Sequence, residues 1–182
     1  MERSDVFSGS VLFAVGLLGA LAVGYGLAEL PASNAKPATR TCTAGMGKFT
    51  IKKDSSGNTV GTGSGGFGDD NEKGCPGTTY GVSGVIELAS ADGACEYTAP
   101  IFEGRKNDDG QIVKSKDKSS GTAKLVVQLN AASGTATSAS DNGEISVKAK
   151  VKVPKMSECK QLPAGTYTAT DVTYTEKFDD GE

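Results

Sequence analysis

Four cysteines are the residues with which this chain of 182 amino acids is best equipped to do chemistry. They are Cys42, Cys75, Cys95 and Cys159. No two of them form a Cys-x-x-Cys pair and the chain contains no histidine, so their spacing does not favour a metal site. An even number of cysteines in a small, loop-rich domain is typical of disulfides in an oxidising compartment. Of the three ways to pair them, we favour Cys42 with Cys75 and Cys95 with Cys159, since each bond would join a strand start to a loop before another strand.

Catalytic chemistry has little support in the composition. The absence of histidine removes the commonest general base and the usual serine or cysteine triad. Acidic clusters at residues 69–72 and 107–109 lack the ligand pattern of a calcium loop, and we interpret them as solvated turns. We therefore expect no catalytic residue, no metal and no cofactor, and we do not expect an enzyme.

The net charge indicates which kinds of partner to expect. The chain has 19 basic and 22 acidic residues, for a net charge of −3, which does not suggest a nucleic-acid partner. Its hydrophobic content is 37% and its aromatic content 6%, so we expect a modest core to which disulfides contribute materially.

The N-terminal part of the chain carries an uncharged run over residues 9–28. As a helix, a run of that length reaches about 30 Å, enough to cross the hydrocarbon core of a bilayer. We predict a short cytoplasmic segment over 1–8 and a transmembrane helix over 9–30. The alternative is a cleaved signal peptide, for which residues 33–35 offer small side chains, but the long apolar run favours a retained anchor, as does a start with one arginine against two acidic residues.

The side of the membrane follows from the cysteines, all of which come after the predicted helix. Because disulfides form in oxidising compartments, the C-terminal domain is expected to be periplasmic or otherwise extracytoplasmic, on a single-pass protein of the inner (cytoplasmic) membrane.

Small residues recur at every fourth position of the predicted helix. They are Gly16, Ala20, Gly24 and Ala28, a spacing that lets two membrane helices approach closely. We interpret them as a face for packing against another helix. The alternative is that glycine and alanine are simply common in membrane helices.

Alternation of apolar and polar residues dominates the rest of the chain, which we divide into a linker over 31–40, a domain over 41–178 and an acidic tail over 179–182. The clearest case is the segment 145–153, where Lys148, Lys150 and Lys152 alternate with apolar residues and the turn sequence 141–143 comes just before. Further strands are indicated around 48–53, 80–88, 95–102, 112–113, 123–129 and 168–174. The pattern predicts an all-β fold, an antiparallel β-sandwich of six to eight strands.

The glycine-rich stretch over residues 61–68 has the look of a phosphate-binding loop. It lacks the lysine and the following helix that such a loop needs, so we interpret it as a mobile surface loop.

Together these features favour a non-catalytic, single-span accessory or structural subunit of a larger membrane complex, such as a bacterial photosynthetic or respiratory assembly. Its helix would dock in the lipid bilayer and its β domain would contact periplasmic subunits. The alternative is an exported fimbrial or adhesin subunit with a cleaved signal peptide. Residues 162–175 resemble the final strand of spore-coat-U and chaperone–usher pilins, which implies such a β-sandwich subunit.

The packing face of the predicted helix can be tested apart from membrane insertion. We expect the double substitution Gly16→Leu with Gly24→Leu to keep the protein in the membrane but to release it from its complex, because leucine preserves hydrophobicity and blocks close backbone contact. Co-purification of partner subunits measures the effect. Wild-type stoichiometry in the double variant would show that the small residues are incidental.

Overall fold

Ten antiparallel strands make up the computed structural model, which describes residues 38–68 and 74–178. The strands are β1 (Ala38–Lys53), β2 (Thr59–Gly66), β3 (Thr79–Ser83), β4 (Glu87–Ala91), β5 (Ala94–Lys106), β6 (Ile112–Lys114), β7 (Gly121–Gln128), β8 (Ser133–Ser140), β9 (Ile145–Lys152) and β10 (Gly165–Phe178). Within the two described ranges, no helix is long and apolar enough to cross a membrane. The helix predicted over 9–30, with Gly16, Ala20, Gly24 and Ala28, lies outside these ranges, as does the tail over 179–182.

Eight of the strands form a closed ring. Its order is β1, β2, β3, β5, β7, β8, β9 and β10, and each strand pairs antiparallel with the next. The ring closes because β10 also pairs with β1, from Ala38 opposite Phe178 to Ile51 opposite Gly165. The protein is therefore an eight-stranded antiparallel barrel.

The two remaining strands are continuations of ring positions. β4 follows β3 along the same side of β5, with Ser83 opposite Ile101 and Glu87 opposite Thr98. Residues 84–86 separate the two strands, and a Cβ atom on Gly84 would lie only 2.7 Å from Pro100 Cγ, which leaves no room for a side chain there. The strand predicted over 80–88 is therefore two strands, β3 and β4. In the same way, β6 precedes β7 along the other side of β5.

The all-β antiparallel prediction is confirmed, but the two-sheet sandwich is not, because the sheet closes on itself. Strand closure requires the sheet to bend, and β-bulges provide such bends. Register shifts lie in β1 between Cys42 and Gly47, and in β10 between Thr170 and Thr173. Alternation in a sequence marks the buried face of a strand in either architecture, so it does not distinguish a sandwich from a barrel.

One end of the barrel is filled by a hydrophobic core, which we call the floor. Val127 and Cys95 are 0% exposed there, and Val151 is 1% exposed. The segment over 153–164 crosses this end and adds Met156 and Leu162 to the same cluster. The other members are Ile51, Tyr97, Leu125, Val153 and Tyr167.

β9 has the two faces that its alternation predicts. Ala149 and Val151 are buried in the barrel, whereas Lys148, Lys150 and Lys152 are exposed. Lys150 forms an ion pair of 2.9 Å with Asp171, and both side chains are exposed to solvent.

We expect the triple substitution of Lys148, Lys150 and Lys152 by Glu to leave the barrel folded. The lysines lie outside the core, and an exposed ion pair such as that between Lys150 and Asp171 contributes little to stability. Thermal unfolding followed by circular dichroism measures the result. Loss of a cooperative transition would contradict this assignment of the faces.

Two disulfides cross-link the barrel, one near each end. Cys95 is bonded to Cys159, which attaches the segment 153–164 to the floor, and Cys42 is bonded to Cys75 near the opposite end. This is the pairing that the sequence favours. No other cysteine is present.

Removal of either bond should lower the free energy of unfolding. The bonds close loops of 33 and 64 residues, for which the chain-entropy relation gives a stabilisation of about 4 kcal/mol each. The variants are Cys42→Ala with Cys75→Ala, and Cys95→Ala with Cys159→Ala, measured by urea unfolding. A loss below about 1 kcal/mol in both variants would contradict the loop-closure account.

Candidate functional site

Above the floor, the barrel interior contains a cavity of about 780 Å³. Pockets that hold drug-sized ligands have volumes of roughly 300–1,000 Å³. Side chains from many of the ring strands line it, among them Phe49, Ala99, Leu125, Val147 and Ala169. Its volume is thus within the range of known ligand pockets.

The inner face of β2 carries almost no side chains. Gly61, Gly63 and Gly65 lie opposite Ile51, Phe49 and Gly47 of β1. Directly opposed residues of an antiparallel pair share one face of the sheet, and Ile51 belongs to the buried core, so the three glycines of β2 face the interior.

At Gly63, close packing does not require the absence of a side chain. A Cβ atom placed on it would have Phe49 Cβ, 3.6 Å away, as its nearest neighbour, which is ordinary van der Waals contact. Glycine within a strand also lowers the stability of the folded protein, by roughly 0.5–1 kcal/mol relative to alanine. The chain therefore leaves room at a position where a larger residue would fit.

β8 repeats this pattern on the other side of the ring. Its inward residues are Gly134, Ala136 and Ser138, since Gly134 lies opposite the buried Val127 and Val151. No strand is indicated here by the sequence, because the segment contains no large apolar residue. Ser138 places a hydroxyl on the cavity wall.

Aromatic side chains lie between the floor and the cavity, and Phe49 and Tyr97 are among the lining residues. The rings of Phe49 and Tyr167 stack with centroids 5.1 Å apart. The Tyr97 hydroxyl donates a hydrogen bond of 2.6 Å to the carbonyl of Lys160, and the Tyr167 hydroxyl donates one of 2.6 Å to the carbonyl of Pro163. Both hydroxyls are thus hydrogen-bonded to the segment over 153–164. Burial raises the pKa of Tyr97 and of Tyr167, so both phenols stay neutral at physiological pH.

Two of the charged residues that line the cavity, Lys124 and Glu103, form ion pairs. The Lys124 ammonium lies 2.7 Å from a Glu96 carboxylate oxygen. The Glu103 carboxylate lies 3.0 Å from the Lys116 ammonium, and both side chains are more than half exposed at the end away from the floor. An isolated charge in the apolar interior would be strongly unfavourable. The wall therefore suits an uncharged guest.

A mixed polar and aromatic group lies at the end away from the floor. The ring of Phe67 meets that of Tyr174 edge-on, with centroids 6.3 Å apart. Two residues after Tyr174 along β10, Glu176 pairs with Arg40 at 3.4 Å, and an Arg40 guanidinium N–H donates to the Gly74 carbonyl at 2.6 Å. Burial first, and then neighbouring Glu176, raises the pKa of Tyr174. This end combines an apolar interior with a polar rim.

The residues singled out from the sequence do not form this site. The disulfide between Cys95 and Cys159 lies at the floor, and the one between Cys42 and Cys75 lies near the opposite end. Both cross-link the chain. The stretch over 61–68 is mostly strand β2 and not a surface loop, so that interpretation was wrong. Glycines recurring at every second position were the available signal, but alternation without apolar side chains is hard to tell from a loop.

Within residues 38–68 and 74–178, no group of three or more cysteine, aspartate or glutamate side chains is placed to hold a metal ion. The fold and the site define a small closed antiparallel barrel with an interior cavity. Barrels of eight strands are either filled by side chains or hold one small ligand. Comparison of the chain with protein families, curated proteins and solved structures finds no match.

Proposed function

We propose that this protein is a non-catalytic binding module that holds an uncharged, mainly apolar small molecule inside its barrel. The observation that carries the proposal is the cavity of about 780 Å³, bounded by apolar side chains and by Gly63, where a Cβ atom would meet only ordinary van der Waals contacts. Such a site has the two properties of a ligand pocket, a suitable volume and an apolar wall with few polar groups.

Selection for stability does not explain why part of the interior is unfilled. Unfilled apolar space lowers the stability of a protein in proportion to its volume. Gly63 and Ala136 face that space from opposite sides of the ring, and larger side chains at such positions would bury more apolar surface. A bound molecule would occupy the volume and recover the missing contacts, which supports ligand binding as the reason for the space.

An extracytoplasmic location belongs to the same proposal. Its support is the pair of disulfides, since such bonds persist in oxidising compartments. The interpretation as a single-span subunit of a membrane complex depends on residues 9–30, which lie outside the described ranges, so it stays a prediction. A membrane-anchored subunit and a ligand-binding barrel are compatible with each other.

The fimbrial alternative has less support. Pilin subunits assemble by adding a strand to an open sheet edge. In the described residues each of the eight ring strands has a neighbour on both sides, so the ring itself offers no open edge for a full added strand.

Filling the cavity tests the proposal. We expect Gly63→Leu to raise the free energy of unfolding by about 2 kcal/mol, because leucine would bury apolar surface in existing space. The same substitution should weaken binding of the uncharged fluorescent probe N-phenyl-1-naphthylamine about tenfold, because probe and leucine would compete for the same volume. Fluorescence titration and urea unfolding of the full-length protein measure the two effects.

Thr168→Leu is the matched control, since Thr168 is exposed on the outside of β10 and its replacement adds the same side chain away from the interior. It should leave probe affinity within about twofold of wild type. Absence of saturable probe binding to the wild-type protein would overturn the proposal. Equal binding by wild type and Gly63→Leu would place the bound probe outside the cavity and overturn it as well.

A further inference from the structure

The lining of the cavity changes in character between the floor and the opposite end of the barrel. Near the floor, the lining residues that belong to the hydrophobic core or pack against it are Phe49, Ile51, Ile86, Tyr97, Leu125, Ala136, Leu162 and Ala169. Two hydroxyls lie among or beside them, and both are hydrogen-bonded within the protein. The Tyr97 hydroxyl donates to the carbonyl of Lys160, and the Ser83 hydroxyl bonds the backbone of Gly61. This end therefore offers a guest molecule mainly apolar surface.

Three polar residues that border the cavity at this level, Thr98, Lys124 and Thr137, stand on the outer face of the sheet. Lys124 lies opposite Thr98 on one side and Thr137 on the other. Thr137 in turn lies opposite Lys148, which is exposed on the outside of β9. Because directly opposed residues share one face of a sheet, the whole row points outward. Its side chains therefore add no polar group to the interior next to the floor.

Two hydroxyls face the cavity at the end away from the floor. Ser138 lies opposite Val147 in the pairing of β8 with β9, and Val147 lies opposite Tyr174 in the pairing of β9 with β10. All three residues line the cavity and form one inward row. Antiparallel neighbours lie about 5 Å apart, so the backbones of Ser138 and Tyr174 are separated by about 10 Å. We call these two residues the hydroxyl pair.

The hydroxyl pair can exchange hydrogen bonds with a guest molecule, since a hydroxyl group both donates and accepts. Burial first, and then neighbouring Glu176, raises the pKa of Tyr174, so its phenol stays protonated at physiological pH. By contrast, the nearby Ser140 hydroxyl is already used, because it donates a hydrogen bond of 2.6 Å to the Asn142 side chain. The hydroxyl pair thus supplies polar contacts that the floor end lacks.

We propose that the ligand is an uncharged amphiphile whose hydroxyl-bearing polar group lies at the hydroxyl pair and whose hydrocarbon part extends toward the floor. This inference rests on the proposed function of the cavity and adds the chemical class and the orientation of the ligand. A polar group carried to the floor would lose its water without finding a partner, which is unfavourable. At the opposite end the same group can form hydrogen bonds with Ser138 or Tyr174.

Two other classes of ligand suit this interior less well. A wholly apolar molecule would cover the hydroxyl pair and remove its water without replacing the lost hydrogen bonds. A charged polar group would meet ion pairs that are already formed at this end, those of Glu103 with Lys116 and of Arg40 with Glu176. A neutral group that carries hydroxyls makes hydrogen bonds without disturbing either ion pair.

Two isomeric diols test the orientation of the ligand. Dodecane-1,2-diol carries both hydroxyls at one end of its chain, whereas dodecane-1,12-diol carries one at each end, so the two compounds have the same atoms and the same polar groups. Each is used to displace N-phenyl-1-naphthylamine from the full-length protein in a fluorescence titration. We expect dodecane-1,2-diol to bind about tenfold more tightly, because an extended dodecane-1,12-diol would place one hydroxyl at the floor.

Removal of the hydroxyl pair gives a second measurement. We expect Ser138→Ala with Tyr174→Phe to reduce the preference for dodecane-1,2-diol from about tenfold to about twofold, because the apolar volume is retained and the polar contacts are lost. The matched control is Ser146→Ala with Thr175→Val, since these two residues oppose each other on the outer face of β9 and β10. The control should keep the wild-type preference. Thermal unfolding verifies that each variant is folded.

The outcomes separate the orientation of the ligand from the existence of the site. Equal affinity of the two diols for the wild-type protein, tighter binding of dodecane-1,12-diol, or failure of both diols to displace a bound probe would overturn the amphiphile inference, while saturable probe binding would leave the proposed function standing. A folded variant without the hydroxyl pair that keeps the wild-type preference would overturn the inference as well. If that variant does not fold, the comparison in the wild-type protein decides. Absence of saturable probe binding would overturn both proposals.

Discussion

The pairing of β1 with β10 is the interaction on which the rest of the structure depends. These strands have 16 and 14 residues, and their contact converts a row of antiparallel strands into a closed ring. Closure gives each ring strand one inward face, and all these faces share a single interior. The content of that interior is then set by the sum of eight inward faces, so small residues on β2 and β8 leave a common space that no other strand fills.

Stability and space are concentrated at different levels of the barrel. The floor combines large apolar residues such as Val127 and Val151 with the Cys95–Cys159 bond and the hydrogen bond from Tyr97 to Lys160. The interior above it is lined by glycine, alanine and serine of β2 and β8, and at Gly63 a side chain would meet only ordinary contacts. Because a well-packed floor and a closed backbone network hold the ring together, the upper interior need not be filled for the barrel to persist.

Charge is divided between the outside and the inside of the barrel. Lys148 and Lys152 stand on the outer face of β9, and Lys124 is paired with Glu96. The inner wall is made mainly of apolar side chains, backbone and a few hydroxyls, and the Tyr97 hydroxyl donates its hydrogen bond to the segment over 153–164. Glu103 lies at the open end, where its carboxylate is paired with Lys116, so recognition deeper in the interior depends on volume and shape.

Local sequence determined those features that depend on a residue and its neighbours. Alternation over 145–153 sets the faces of β9, the turn sequence at 141–143 joins β8 to β9, and four cysteines without histidine indicate disulfides. Long-range pairing decided the rest, because alternation is the same in a sandwich and a barrel. Gly63 and Ser138 do not stand out in the sequence, and they come to line one cavity only when ring closure places β2 opposite β8. Sequence alternation records which side of a strand is buried, whereas the distance across the interior depends on strands far apart in the chain.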